Sequence, residues 1–291
     1  MFDFRYHALS LVAVLFALAI GLLLGVAIGD SGLVSSARQD IEGSLREDVR
    51  AARAEADQLT EELERQEAFS EQIYPDLVAS RLAGRQVGLV FLGGADDTVV
   101  RHVRDALEPA GADLRSVGVV REPPNLEALA GRAGETRYVA LAEDPDLLAP
   151  FAQRVGSQMV TGGALMQGVR EALMPSFSGE VGLLDAVVVA RSSERPDESE
   201  EQEGTTETLE DGLMRGLSRA SVPVVGVEEL DTDPSQIEWY RDHGLASVDS
   251  VDEISGRAAL VFALAGADGA YGLKSSAEAL LPRVVGGVSR P

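Results

Sequence analysis

The longest apolar run of the chain lies near its first residue. Residues 9–28, LSLVAVLFALAIGLLLGVAI, hold one serine and two glycines and are otherwise apolar. About twenty such residues, each rising about 1.5 Å in a helix, match the ~30 Å hydrocarbon core of a bilayer. The pattern therefore predicts one transmembrane helix within residues 1–30, with the remainder of the chain outside the hydrocarbon.

This apolar segment is compatible with two kinds of export signal. Arg5 precedes it, and the small residues Ala27 and Gly29 resemble a signal-peptidase site, as in a cleaved signal peptide. The apolar core of a cleaved signal is usually about 7–15 residues long, so the longer run favours an uncleaved signal anchor. Because long acidic domains are translocated largely regardless of their charge, we expect a single-pass envelope protein with an extracytoplasmic soluble domain.

Small residues recur at every fourth position along the same segment. They place one ridge of small side chains on a helix, and such a ridge lets two membrane helices approach closely, as in the GxxxG type of contact. Small residues are also common in membrane helices for other reasons. The register favours self-association through Ala13, Ala17, Gly21, Gly25 and Gly29.

Residues 31–84 are predicted to form a helical coiled-coil spacer. From Val49 onwards, apolar and small residues recur at two heptad core positions, with Arg, Glu and Asp between them. Pro75 should kink or end the helix near Tyr74, because proline lacks an N–H and clashes with the preceding turn. A stripe this narrow needs a partner helix or the following domain for stability. The two core positions are Val49, Ala56, Leu63, Ser70 and Leu77, and Ala52, Leu59, Gln66 and Ile73.

Residues 85–291 alternate between strand and helix patterns. This alternation predicts an α/β domain with a mainly parallel, doubly wound, Rossmann-like sheet, because each parallel crossover needs a helix to cover one face. Helical patterns occur at 98–107, at about 147–174 and from near Leu209. The predicted strands are Gln86–Leu92, Leu114–Val120, a weaker one at Tyr138–Ala142, Leu184–Val189 and Val222–Val227.

One stretch of this domain is almost free of apolar residues. Residues 192–208, SSERPDESEEQEGTTET, contain a dense run of carboxylates and predict a disordered acidic loop between two elements of the sheet.

A glycine-rich turn follows the first strand. Residues 93–97, GGADD, stand where a phosphate-binding turn would lie, but they match neither G-x-G-x-x-G nor a P-loop and bring two carboxylates to the helix start. We therefore interpret Asp96 and Asp97 as helix-capping residues, since aspartate accepts hydrogen bonds from free N–H groups there.

Charge and composition exclude several function classes. The net charge of −23 argues against a nucleic-acid partner, because a polyanion would meet a surface of its own sign. The chain has no cysteine, which removes disulfides, thiolate metal sites and thiol catalysis. It has neither a G-x-S-x-G nor an H-E-x-x-H motif, so we expect no enzyme and no bound cofactor.

The possible metal-ligating side chains are few. The histidines His7, His102 and His243 are far apart in sequence. Met159, Met166 and Met174 lie on one side of a helical pattern, where core packing is the favoured interpretation over a soft-metal surface. The sequence alone assigns no metal ligand.

Three segments resemble the actinobacterial MctB-like family. They are FRYHALSLVAVLFALAIGLLLG at the start, RLAGRQVGLVFLGGADD at the first strand, and SVDSVDEISGRAALVFALAGADGAYGLKSSAEALLP near the end. In the family pattern a histidine precedes the final Tyr-Gly, whereas this chain has Ala270, so one candidate imidazole is absent. The resemblance covers nearly the whole chain and includes the coiled segment between the first two parts.

The resemblance implies a role in copper efflux or homeostasis at the cell envelope, with copper as a possible transported ion. One membrane helix cannot enclose a pore by itself. We therefore expect a homo-oligomer, formed through the transmembrane helix and the coiled coil, or envelope protein partners. The alternative is a membrane-anchored scaffold or interaction protein with no direct metal role.

Overall fold

The computed structural model describes residues 4–29, 33–193 and 199–283. The chain divides into two compact units, residues 1–68 and residues 69–291. The first unit consists of helix α1, Phe4–Gly29, and the larger part of helix α2, Leu33–Val78. Its segment Tyr6–Ala27 is long and apolar enough to cross a membrane.

Helix α2 is continuous over 46 residues and passes through Pro75. The expected helix end near Tyr74 is wrong, because the helix ends three residues after the proline, at Val78. Both Tyr74 and Val78 are buried in the second unit, and the Tyr74 hydroxyl donates to the Ala106 carbonyl at 3.1 Å. These contacts stabilise the last helical turn despite the missing proline N–H.

The second unit contains one seven-stranded sheet with the order β3-β2-β1-β4-β5-β6-β7. Every pair is parallel except β2 with β3, so the mainly parallel α/β fold is confirmed. Two adjacent apolar strands lie at its centre, as their sequence predicts. The strands are β1 Gln86–Leu92, β2 Asp113–Val120, β3 Ser176–Gly179, β4 Ala186–Arg191, β5 Val224–Val227, β6 Ala246–Val248 and β7 Ala270–Tyr271.

Seven helices and two short 3₁₀ turns are described in the α/β domain. Alternate residues of β1 and β4 pack into two separate apolar clusters, one containing buried residues of α3 and α9 and the other of α5, α6 and α7. The sheet is therefore covered on both faces. The elements are α3 Asp97–Ala110, α4 Leu126–Arg132, Arg137–Ala140 (3₁₀), Pro145–Leu147 (3₁₀), α5 Leu148–Thr161, α6 Ala164–Leu173, α7 Glu200–Arg219, α8 Ile237–Asp242 and α9 Ile254–Leu264.

The predicted strand at Tyr138–Ala142 is wrong. This segment contains the 3₁₀ turn at Arg137–Ala140, which Thr136 caps by accepting from the Tyr138 N–H. The Tyr138 ring is buried against Phe151 of α5, with ring centres 5.4 Å apart. Packing on a helix therefore replaces pairing with the sheet.

The prediction of an acidic loop at 192–208 is wrong over its second half, which is helical. Residues 194–198 of this segment lie outside the described residues. Glu200–Arg219 form α7, which begins at a capping box between Ser199 and Gln202. Glutamates in its first turn interact favourably with the positive end of the helix dipole. Thr206 and Leu209 are buried, so one face of the acidic segment packs on the domain.

Candidate functional site

A groove opens at the carboxyl ends of β1, β4 and β5. In parallel sheets this edge is where ligands bind, at the point where the strand order changes direction, which here lies between β1 and β4. The groove encloses about 480 Å³. We call it the sheet-edge groove, and its polar lining includes Asp96, Arg191, Ser192, Glu228, Glu229, Asp231 and Asp233.

Asp96 caps helix α3 at the rim of this groove. Its carboxylate accepts from the Thr98 backbone N–H at 2.7 Å and lies 2.6 Å from the Thr98 hydroxyl. The Thr98 hydroxyl and the backbone N–H hold the pKa of Asp96 below its usual range. The capping interpretation of the glycine-rich turn is therefore confirmed for Asp96.

Removal of this cap is expected to destabilise the protein in a pH-dependent way. At pH 7, Asp96→Ala should lower the free energy of unfolding by about 1 kcal/mol. Because the pKa of Asp96 is depressed in the folded state, its contribution is present above the ordinary aspartate pKa of about 3.9 and is lost as the pH falls through the folded value. Urea unfolding at several pH values measures this difference.

Asp96→Asn is the matched control for that measurement, since asparagine is an equally good cap without a titrating group. It should retain most of the wild-type stability at pH 7. A loss for Asp96→Ala that is the same at pH 3 and pH 7 would contradict the role assigned to the carboxylate.

Two ion pairs, each with a buried carboxylate, contribute one residue each to the groove lining. Glu228 is almost fully buried, and Lys274 donates from Nζ to its Oε1 at 2.7 Å and to the Thr232 carbonyl at 2.8 Å. Arg191 donates to Glu210 at 3.1 Å, and its guanidinium lies 4.7 Å from the centre of the Trp239 ring. These charges are paired within the domain and do not face a ligand as free groups.

The remaining charge of the groove is negative. With Arg191 paired to Glu210 and Glu228 paired to Lys274, the exposed carboxylates of Asp96, Asp231 and Asp233 dominate the lining. Such a lining disfavours nucleotide phosphates, which sheets of this kind otherwise bind at this edge. The described residues contain no group of three or more His, Cys, Asp and Glu side chains placed to hold a metal.

The histidines are not brought together within the described residues. His102 lies on α3, with Nε2 3.5 Å from a carboxylate oxygen of Glu229. His243 follows α8, where its Nε2 lies 2.8 Å from Asp211. Both are at least half-buried and lie beside a carboxylate of the domain, whereas His7 belongs to α1.

The three methionines singled out by their spacing are core residues, as expected. Met159, Met166 and Met174 are all buried in the cluster that covers one face of the sheet. They also line one small apolar cavity, together with Gly118 and Phe177. The sequence placed them on one helix, but the structure places Met159 on α5, Met166 on α6 and Met174 directly after α6.

The small-residue ridge of α1 is uncovered. Ala13 and Ala17 are exposed, and neither Gly21, Gly25 nor Gly29 has another part of the described chain within 4 Å of the position that a Cβ would occupy. The ridge is therefore accessible to another helix.

The apolar helix α1, helix α2 and the α/β domain are matched together by one protein family. Residues 1–282 match the family described as "Copper transport outer membrane protein, MctB". The chain belongs to the MctB family. The match spans the apolar helix, α2 and the α/β domain together, and no curated protein matches the chain.

Membership of the MctB family supports a copper-transport-related protein of the membrane or envelope, consistent with the apolar α1. The family description refers to transport, which is coarse support for a protein that is not an enzyme. Sequence reasoning missed the Glu228–Lys274 pair. The one sequence feature that could have pointed to this pair is that Lys274 is the only lysine among 25 Lys and Arg residues.

Proposed function

We propose that this MctB family member takes part in copper efflux or homeostasis as an envelope-anchored homo-oligomer. The family match over residues 1–282 is the observation that carries the proposal, because it covers the apolar helix, the spacer and the domain as one unit. In this proposal α1 is an uncleaved signal anchor, and the acidic α/β domain is extracytoplasmic and Rossmann-like. One helix cannot enclose a pore, so transport requires several copies or envelope partners.

The exposed apolar stripe of α2 supports assembly. Leu59 and Leu63 lie at the two heptad core positions and are 56% and 60% exposed. Val49 and Ile73 continue the stripe, each 42% exposed. Burial of a leucine side chain contributes about 1.5–3 kcal/mol, so a second copy of α2 would cover these residues favourably as a coiled coil.

The ridge of α1 supports the same assembly within the membrane. Ala13, Ala17, Gly21, Gly25 and Gly29 would form the contact between α1 helices, because small side chains allow close backbone approach. The two contacts belong to consecutive helices and would involve the same copies.

A scaffold or interaction protein with no direct metal role is the second candidate. It is favoured by the observation that no cluster of His, Cys, Asp or Glu suited to a metal occurs in the described parts of the chain. In that case the acidic domain would bind envelope proteins, and copper would be handled by those partners.

Enlarging the ridge should disrupt assembly and copper tolerance together. With Gly21→Leu and Gly25→Leu combined, the detergent-solubilised full chain should sediment with at least tenfold weaker self-association, because leucine side chains separate the two backbones. A strain lacking the gene should be copper-sensitive, and this variant should restore tolerance less well than the wild type.

Ala19→Leu with Ala27→Leu is the matched control, since these alanines lie on the opposite side of α1. This control should associate and complement like the wild type. A wild-type chain that is monomeric in detergent would overturn the oligomer. A deletion strain with normal copper tolerance and metal content would overturn the role in copper handling and favour the scaffold.

A further inference from the structure

Three of the five methionines of the chain converge on one place in the core. Met159, Met166 and Met174 come from α5, from α6 and from the residue after α6. Their side chains are 5%, 1% and 3% exposed. The fold thus brings to one cavity three methionine side chains that lie seven and eight residues apart in sequence.

The cavity that these methionines line is small. It measures about 20 Å³ and is lined otherwise by apolar groups and by Ser116 of β2. A water molecule needs about 10–15 Å³ and two to four polar partners, and this lining offers few. The cavity is large enough for a single ion and poorly suited to water.

A glycine in the sheet leaves space for one of these sulfur atoms. Gly118 of β2 has no side chain, and the Met174 sulfur lies 2.7 Å from the position that a Cβ would occupy there. Any larger residue at 118 would displace that sulfur. The absence of a side chain at Gly118 therefore leaves room for the Met174 thioether beside the strand.

The chemistry of these ligands selects one form of copper. Cu(I) is a soft ion that prefers thiolate and thioether sulfur, whereas Cu(II) prefers imidazole and square-planar nitrogen or oxygen ligands. The chain has no cysteine, and its histidines are dispersed. Methionine is then the only soft ligand available, and it needs no deprotonation to bind.

We propose that Met159, Met166 and Met174 bind one Cu(I) ion in this cavity through their three sulfur atoms. This inference rests on the proposed function in copper handling and deepens it by naming the cuprous ion and its ligands. Met214, which is equally buried in the same cluster, does not line the cavity and takes no part.

Competition for Cu(I) tests the site. The full chain in detergent should withdraw one equivalent of Cu(I) from the chromophoric chelator bicinchoninate under anaerobic, reducing conditions. Met166→Leu and Met174→Leu should each weaken binding at least tenfold, and the triple variant with Met159→Leu should abolish it. Leucine conserves most of the methionine volume, so the core should remain folded, as circular dichroism will verify.

Met214→Leu is the matched control and should bind as the wild type does. X-ray absorption of the Cu(I) complex should show three sulfur neighbours. No binding by the wild type, equal binding by the triple variant, or nitrogen and oxygen ligands would each overturn the proposal and leave the methionines as packing residues.

The two proposals fail in different ways. A copper-sensitive deletion strain with a purified chain that binds no Cu(I) would overturn this site and leave the role in copper handling intact. A chain that binds Cu(I) through the three sulfurs while the deletion strain shows normal copper tolerance would overturn the role and retain the site.

Discussion

Replacing Lys274 with methionine is expected to lower the free energy of unfolding by about 3–5 kcal/mol, because the Glu228 carboxylate is left buried without its cation. Glu228 is 1% exposed, and Lys274 is the only cation within ion-pair distance of it in the described chain. Methionine fills much of the lysine volume, so the loss reports the missing charge and its hydrogen bonds rather than a cavity. Urea unfolding followed by Trp239 fluorescence measures it, since this is the only tryptophan.

Two further variants separate charge from packing at this position. Lys274→Met combined with Glu228→Gln should recover part of the loss, because the amide no longer buries a charge. Arg215→Met is the surface control, since Arg215 pairs with Asp211 on an exposed face of α7 and should cost less than about 1 kcal/mol. A loss below about 1 kcal/mol for Lys274→Met would contradict the role of the buried pair.

Gly256→Ala is expected to cost about 3 kcal/mol, at the upper end of the range for overpacking. Gly256 lies in the first turn of α9, and a Cβ there would overlap the carbonyl group of Ser250. The overlap involves backbone rather than a flexible side chain, so the start of α9 must shift. Residues 258–264 of this helix are all buried, and therefore the shift disturbs the apolar cluster on that face of the sheet.

Gly204→Ala provides the comparison for that result. Gly204 lies inside α7 with nothing within 4 Å of a Cβ, so alanine there should stabilise the protein by about 0.5–1 kcal/mol. Similar unfolding midpoints for Gly256→Ala and the wild type would show that α9 adjusts to a side chain at 256.

The central strands were predictable because their apolar runs are continuous. Gln86–Leu92 is a strand over the predicted bounds, and the next strands in the sheet agree within a few residues. The strands at 176–179, 246–248 and 270–271 were not predicted, since two to four residues carry too little pattern. Their pairing is set by neighbouring strands rather than by local sequence.

Local chemistry was also more predictable than long-range contacts. The cap at Asp96 depends on Thr98, two residues away, and the sequence indicates it directly. The first part of helix α7, residues 200–208, was missed because its dense carboxylates are typical of a disordered loop, whereas the helical pattern from near Leu209 is confirmed. The pairing of Glu228 with Lys274 joins residues 46 positions apart, and only the folded chain brings them together.

Because Lys274 is the only lysine of the chain, its chemical reactivity can report local opening of the α/β domain. Acylation requires attack by a free, deprotonated amine on the reagent, and the ε-ammonium of Lys274 is held by Glu228 and by the Thr232 carbonyl. The side chain is also only 16% exposed, so acylation there must wait for that part of the domain to open. The rate at which Lys274 is acylated in the wild-type protein therefore measures the free energy of this local opening, much as amide hydrogen exchange does.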